Sequence, residues 1–181
     1  MNKRLGIIYL TIIAFTSCSS IPKTVYKDKG LNFKITEDFR IGKPDFFKKN
    51  QATYIPIYIR DKNVYAKFSI VWIPCRSDLD WEIQNYVDGL NSVYNSDSKN
   101  KPVYSEIRST KFGSNDARQI DYVVKTDGPR VGSYTVFFCD NNTVIIGQHS
   151  TVDTQAITNK CRELIETTYN CTTTDYLETK K

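Results

Sequence analysis

Apolar and polar positions along the chain follow three patterns. Leu5 to Phe15 is an apolar run of eleven residues interrupted only by Gly6 and Thr11, too short for the roughly 20 residues of a membrane-spanning helix. Later segments alternate with the period of a pleated strand: Leu31 to Ile35, Tyr54 to Ile59, Val64 to Ile73, Val103 to Phe112, Ala117 to Lys125, Gly132 to Cys139 and Thr143 to Ser150. Polar, turn-forming stretches such as Arg60-Asp61-Lys62-Asn63, Gly113-Ser114-Asn115 and Asp140-Asn141-Asn142 connect them. Between and after the strands, apolar residues recur at helical spacing. Leu79, Ile83, Tyr86, Val87, Leu90, Val93 and Tyr94 predict a helix from Ser77 or Asp78, with Asp80 contributing to the capping. Ile157, Cys161, Leu164, Ile165 and Thr168 predict a second, capped by Asp153 and running to Tyr169.

The order is three strands, a helix, four strands and a helix. Hairpin connections predict an α+β fold: one antiparallel β-sheet of about six or seven strands flanked by helices. A length of 181 residues with 40% hydrophobic and 13% aromatic content fits one domain with its own core and excludes a disordered chain. The boundaries read as 1–17 signal peptide, 18–27 lipidated N-terminus and tether, 28–171 single domain and 172–181 polar C-terminal tail.

Lys3 and Arg4 precede the apolar run, which ends in Phe15-Thr16-Ser17-Cys18. This start resembles the lipobox signal of bacterial lipoproteins, in which the Cys is acylated and the signal is cut just before it. An ordinary secretory signal that contains a Cys is the alternative. Multiple acyl chains hold a protein at a membrane where one holds it only reversibly, so the resemblance implies anchoring through Cys18. Ser19 after the Cys resembles the sorting pattern of enteric outer-membrane lipoproteins, and the expected location is the cell envelope of a Gram-negative bacterium, at the outer membrane. Loss of Lys3 and Arg4 with the signal leaves 23 cations against 20 anions. Residues 23–49 carry eight of the cations and four of the anions, a basic bias suited either to anionic head groups or to a solvated surface. Nucleic acid is not an expected partner of an exported chain.

The domain resembles the PsbP-like fold, found in an extrinsic protein of photosystem II, a yeast Ran-binding protein and the DcrB-like bacterial lipoproteins. The residues in common are the opening Gly30-Leu31-Asn32-Phe33-Lys34-Ile35 strand, Ile73-Pro74 before the Asp78-Leu79-Asp80-Trp81 helix start, the Ala117 to Val124 and Tyr134 to Phe138 strands, and the helix after Thr151-Val152-Asp153. It covers roughly residues 28 to 170 and is carried by element order. It implies a noncatalytic binding or assembly role.

Candidate chemistry is sparse. His149 is the only histidine, on a strand whose Ile145, Gly147 and His149 share one face and Ile146, Gln148 and Ser150 the other. A Cys–His site would need Cys75 or Cys139 beside it, and no nucleophile motif surrounds either. Asp78 with Asp80, or Glu37 with Asp38, read as capping or solvated carboxylates. No metal and no cofactor is expected. Of the cysteines after Cys18, Cys161 and Cys171 are about 15 Å apart on a continuous helix, beyond the ~7 Å reach of a disulfide. The last helix runs back along the sheet toward the end of the Cys139 strand, which makes Cys139 and Cys171 the candidate disulfide, with Cys75 competing for Cys171 and Cys161 a buried hydrophobe. The leading expectation is a membrane-anchored envelope lipoprotein acting as a noncatalytic binding or assembly module on an envelope protein. The alternative is a periplasmic carrier of a small hydrophobic ligand held between sheet and helix.

Overall fold

A computed structural model of the chain describes residues 24–28, 31–48, 51–94, 100–125 and 128–171. The signal segment 1–17, Cys18 and the 172–181 tail lie outside the described residues. The strands are β1 (Thr24–Asp28), β2 (Leu31–Ile35), β3 (Phe39–Ile41), β4 (Asp45–Phe47), β5 (Ala52–Ile59), β6 (Ala66–Ile73), β7 (Val103–Tyr104), β8 (Arg108–Phe112), β9 (Asn115–Val124), β10 (Arg130–Cys139), β11 (Asn142–Thr151) and β12 (Asn170–Cys171). The helices are α1 (Leu79–Tyr94), between β6 and β7, and α2 (Gln155–Thr168), between β11 and β12.

Nine strands form one antiparallel sheet with the path β3-β5-β6-β11-β10-β9-β7, β4 pairing with β5 and β8 with β9. The other three form a small antiparallel sheet in the order β1-β2-β12. The mixed fold, the large antiparallel sheet and the two helices match the expectation; the count of six or seven strands does not. The excess comes from β1, β3, β4 and β12, none longer than five residues and none with a clear alternation in sequence. The expected Val103 to Phe112 strand is also two, β7 and β8, both paired to β9. At the break, Ser105 N donates to the Asp121 carbonyl at 2.9 Å and Ser105 Oγ accepts from Asp121 N at 3.0 Å, so a side chain replaces one ladder partner. The Leu31 to Ile35 strand, expected in the main sheet, belongs to the small one.

Both faces of the main sheet are covered, as the nearly continuous burial of β6 requires. On one face Ile83 and Val87 of α1 pack on Ile120, Val124, Val136 and Ile145. On the other, Cys161 and Ile165 of α2, with Leu31, Phe33 and Ile35 of β2, close over Ile55, Phe68, Ile70 and Phe137. Pro56 sits within β5 without breaking the sheet because the neighbouring edge is interrupted there. Gly42, between β3 and β4, donates its N–H to the Pro56 carbonyl at 2.7 Å, and the missing proline N–H faces that gap.

The helix starts refine the sequence reading. Asp78 Oδ1 accepts from Trp81 N at 2.8 Å and is the cap of α1, while Asp80 pairs with Arg118. Asp153 is exposed inside a 3₁₀ turn, Val152–Thr154, and does not cap α2. Instead Thr154 Oγ1 accepts from Thr151 N at 3.1 Å and donates to the Tyr65 carbonyl at 3.0 Å, tying the start of the helix to the loop before β6. α2 ends at Thr168 rather than Tyr169, because Asn170 and Cys171 pair with Asn32 and Leu31 of β2.

Candidate functional site: a polar cleft under the last helix

On the α2 face of the sheet, three adjacent strands change from apolar to polar along their length. In β9 the inward series is Ala117, Gln119, Asp121; in β10 it is Phe137, Thr135, Ser133; in β11 it is Ile146, Gln148, Ser150. The register sets Gln119 opposite Thr135, and Ser133 opposite both Asp121 and Gln148. Every one of these polar residues except Asp121 is under a tenth exposed. α2 crosses above them, with Thr158 buried, Arg162 half-buried, and Gln155 and Asn159 exposed at the opening. The space between is a cleft of about 430 Å³.

Arg162 organises its floor. Its Nη1 donates to Ser133 Oγ at 3.1 Å, and its Nη2 to Gln119 Oε1 at 2.9 Å and Thr135 Oγ1 at 3.1 Å. Its guanidinium carbon also lies 5.9 Å from the centre of the Phe112 ring. Burial lowers the pKa of this guanidinium from its usual value, opposed by the nearby Glu166 and Asp121 carboxylates; a guanidinium stays charged across the physiological range regardless. At the rim Arg108 pairs with Asp121, whose other oxygen accepts from Gln119 Nε2 at 2.7 Å. Gln148 Nε2 donates to Thr158 Oγ1 at 3.0 Å and Asn159 Oδ1 at 2.9 Å, bridging sheet and helix.

His149 lies on the opposite face, under α1. The Tyr122 hydroxyl contacts His149 Nδ1, and the Tyr134 ring meets the imidazole edge-on at 5.5 Å. Burial, with a smaller contribution from Lys67, pushes the imidazole down to about 3, and burial holds the Tyr122 phenol far above its usual value. The phenol therefore donates and neutral Nδ1 accepts, which puts the imidazole proton on Nε2. Tyr122 reaches this position across Gly132, where a Cβ would fall inside contact distance of the phenol ring and the Gln148 carbonyl oxygen.

The residues of a Cys–His site are not brought together. Gly132 faces His149 in the register, and Cys139 is seven positions further along β10, about 23 Å away and on the other face. Cys75 follows the far end of β6 and carries an exposed free thiol. Lys67, six positions before the end of β6, is the residue opposite His149. Cys161 is a buried free thiol and Cys139 is disulfide-bonded. Cys171 belongs to β12 by its backbone, and its side chain lies outside the described residues. Gln119, Ser133, Thr135 and Arg162 were not singled out by the sequence reading. The available signal was slight: Gln119 and Asp121 in β9, and Ser133 and Thr135 in β10, fall at alternate positions, a pattern that by itself reads as a solvent face.

No family model matches the chain, and no curated protein matches it. Among solved structures, LpqN, involved in cell envelope biogenesis of Mycobacterium tuberculosis, is similar at a TM-score of 0.53 with 12% identity, over 83% of this chain and 91% of its own. The cyanobacterial PsbP of Synechocystis sp. PCC 6803 is similar at a TM-score of 0.55 with 9% identity, over 87% of this chain and 99% of its own. The fold is therefore PsbP-like.

Proposed function

We propose that the chain is a membrane-anchored envelope lipoprotein whose PsbP-like domain is a noncatalytic binding or assembly module, held at the outer membrane through Cys18. The observation that carries the binding reading is the cleft under α2: a 430 Å³ recess whose polar groups are fixed by one another before any ligand arrives. That size is ordinary for a small-molecule site, and preorganised donors lower the cost of binding. The noncatalytic reading is supported by His149, which is neutral and engaged with tyrosines rather than with a thiol or carboxylate. The envelope reading is supported by the lipobox-like start and by the fold shared with LpqN, a protein involved in cell envelope biogenesis. Walls of amide, hydroxyl and guanidinium groups favour a polar ligand over the hydrophobic one of the carrier reading.

The test is complementation of a deletion strain with each protein's abundance measured. A chain with Gln155→Trp and Asn159→Trp fills the mouth of the cleft from two exposed positions and should behave like the deletion while present at normal level. His149→Ala should complement. Loss of a general base lowers a rate typically 100-fold to 10,000-fold, so failure of a folded, abundant His149→Ala chain would overturn the noncatalytic reading. Full complementation by the cleft-filling chain would overturn the binding one.

A further inference from the structure

We infer that the cleft under α2 is an oxyanion site, which takes a small polar molecule through a phosphate or carboxylate group seated on Arg162. This rests on reading the cleft as the domain's binding site and adds the chemical class of the ligand.

Charge is the first ground. Arg108 and Asp121 neutralise each other at the rim. Glu166, one turn beyond Arg162, accepts from Gly113 N through Oε1 at 3.0 Å, and among the described residues no carboxylate forms an ion pair with Arg162. A guanidinium largely withdrawn from water thus donates its hydrogen bonds to the neutral oxygens of Ser133, Gln119 and Thr135, with the Glu166 and Asp121 carboxylates near enough to attract it but not in ion-pair contact. Desolvated charges in folded proteins are ordinarily paired, and the open side of this one is the cleft.

The second ground is an excess of donors. A guanidinium has five N–H groups, and Arg162 uses three. Ser133 accepts from it, which leaves its own hydroxyl proton uncommitted. Asn159 lines the cleft, and with its oxygen occupied by Gln148 its amide hydrogens are left without a partner among the described residues. A site so supplied matches a group that is all acceptor, and planar guanidinium donors suit the paired oxygens of a phosphate or carboxylate. The volume of about 430 Å³ exceeds what one inorganic ion fills, so the anion is one end of a larger polar molecule.

Calorimetry on the full chain in a non-ionic detergent tests this, with glycerol 3-phosphate and succinate as probes, glycerol as the uncharged control and potassium chloride matching ionic strength. A second arm presents the Cys18→Ser chain with phosphatidylglycerol or phosphatidylcholine vesicles. Saturable binding of either anionic probe, absent for glycerol and weakened at least about tenfold by Arg162→Gln, is the expected result. Arg162→Lys should recover part of the loss. Asn159→Asp sets a carboxylate at an exposed position of the same wall and should weaken binding without disturbing the core, which decides the matter if Arg162→Gln does not fold. Arg162-dependent binding to phosphatidylglycerol vesicles alone would identify the anion as a lipid headgroup and still uphold the site. Binding that ignores both substitutions, or no binding to any probe, overturns the inference. Anion binding by a chain whose cleft-filled variant still complements would sink the functional reading and leave this one standing.

Discussion

His149 is neutral in the folded chain because Tyr122 and Tyr134 exclude water from it, with Lys67 opposing its protonation, and its pKa there is about 3. In the unfolded chain it titrates near 6.5. Between those values the unfolded state binds a proton that the folded state refuses, so stability falls as pH drops below about 6.5, by up to about 1.4 kcal/mol per pH unit. Carboxylates titrate in part of the same window, and the comparison that isolates the imidazole is wild type against His149→Phe in denaturant melts from pH 7 to pH 5. The variant should show the shallower loss; equal slopes would mean that the imidazole is hydrated. Gly132 is tied to the same cluster. The space a Cβ would need is held by the Tyr122 ring and a neighbouring strand's carbonyl, so Gly132→Ala should lose about 1–3 kcal/mol by the same melts. An unchanged midpoint would show that the tyrosine moves aside freely.

Among the elements, legibility followed length. α1 was readable because apolar residues recur over four turns and Asp78 supplies a local cap, and β9 to β11 because ten-residue strands carry several periods. β7 and β12, two residues each, carry none; they exist because β9 and β2 offer unpaired edges. The cleft was hidden for another reason. Gln119, Ser133 and Gln148 sit where alternation reads a solvent face, and only the path of α2, fixed by Cys161 and Ile165 docking on β2, converts that face into an enclosed one. Arg162 then reads in sequence like any helix surface cation. The same path bears on the thiols. With Cys75 and Cys161 free and Cys139 bonded, Cys171 is the expected partner of Cys139, closing a loop through α2 and β12. Mass spectrometry of a nonreduced digest should recover that linkage, and Cys139→Ser should lower stability by about 2–4 kcal/mol. A Cys161–Cys171 peptide in the digest would instead require α2 to end earlier than it does.

At the scale of the molecule, the proposed function gives two regions separate tasks: a domain with a cleft on one face, and an N-terminal segment, with its signal over 1–17 and Cys18 after it, that is expected to determine where the domain works. Among the described residues no helix is long and apolar enough to cross a membrane, so an anchor of that kind is not supplied by α1 or α2. The leader is expected to supply one through Cys18, since acyl chains contribute about 0.8 kcal/mol for each buried methylene and two or three chains together hold a protein at a bilayer. The basic bias of residues 23–49 could add electrostatic attraction, but exposed cations are screened by salt within about a Debye length while acyl chains are not. These two contributions separate in one experiment. Wild-type chain should stay in the membrane fraction through a high-salt wash and leave it only with detergent, whereas Cys18→Ser should either remain unprocessed, visible as a larger species on a gel, or be released as a soluble chain. Residual membrane association of a processed Cys18→Ser chain that disappears in high salt would measure the basic segment's share. If the processed variant instead resists the wash as wild type does, Cys18 is not the anchor, and the hold on the membrane must come from the domain itself.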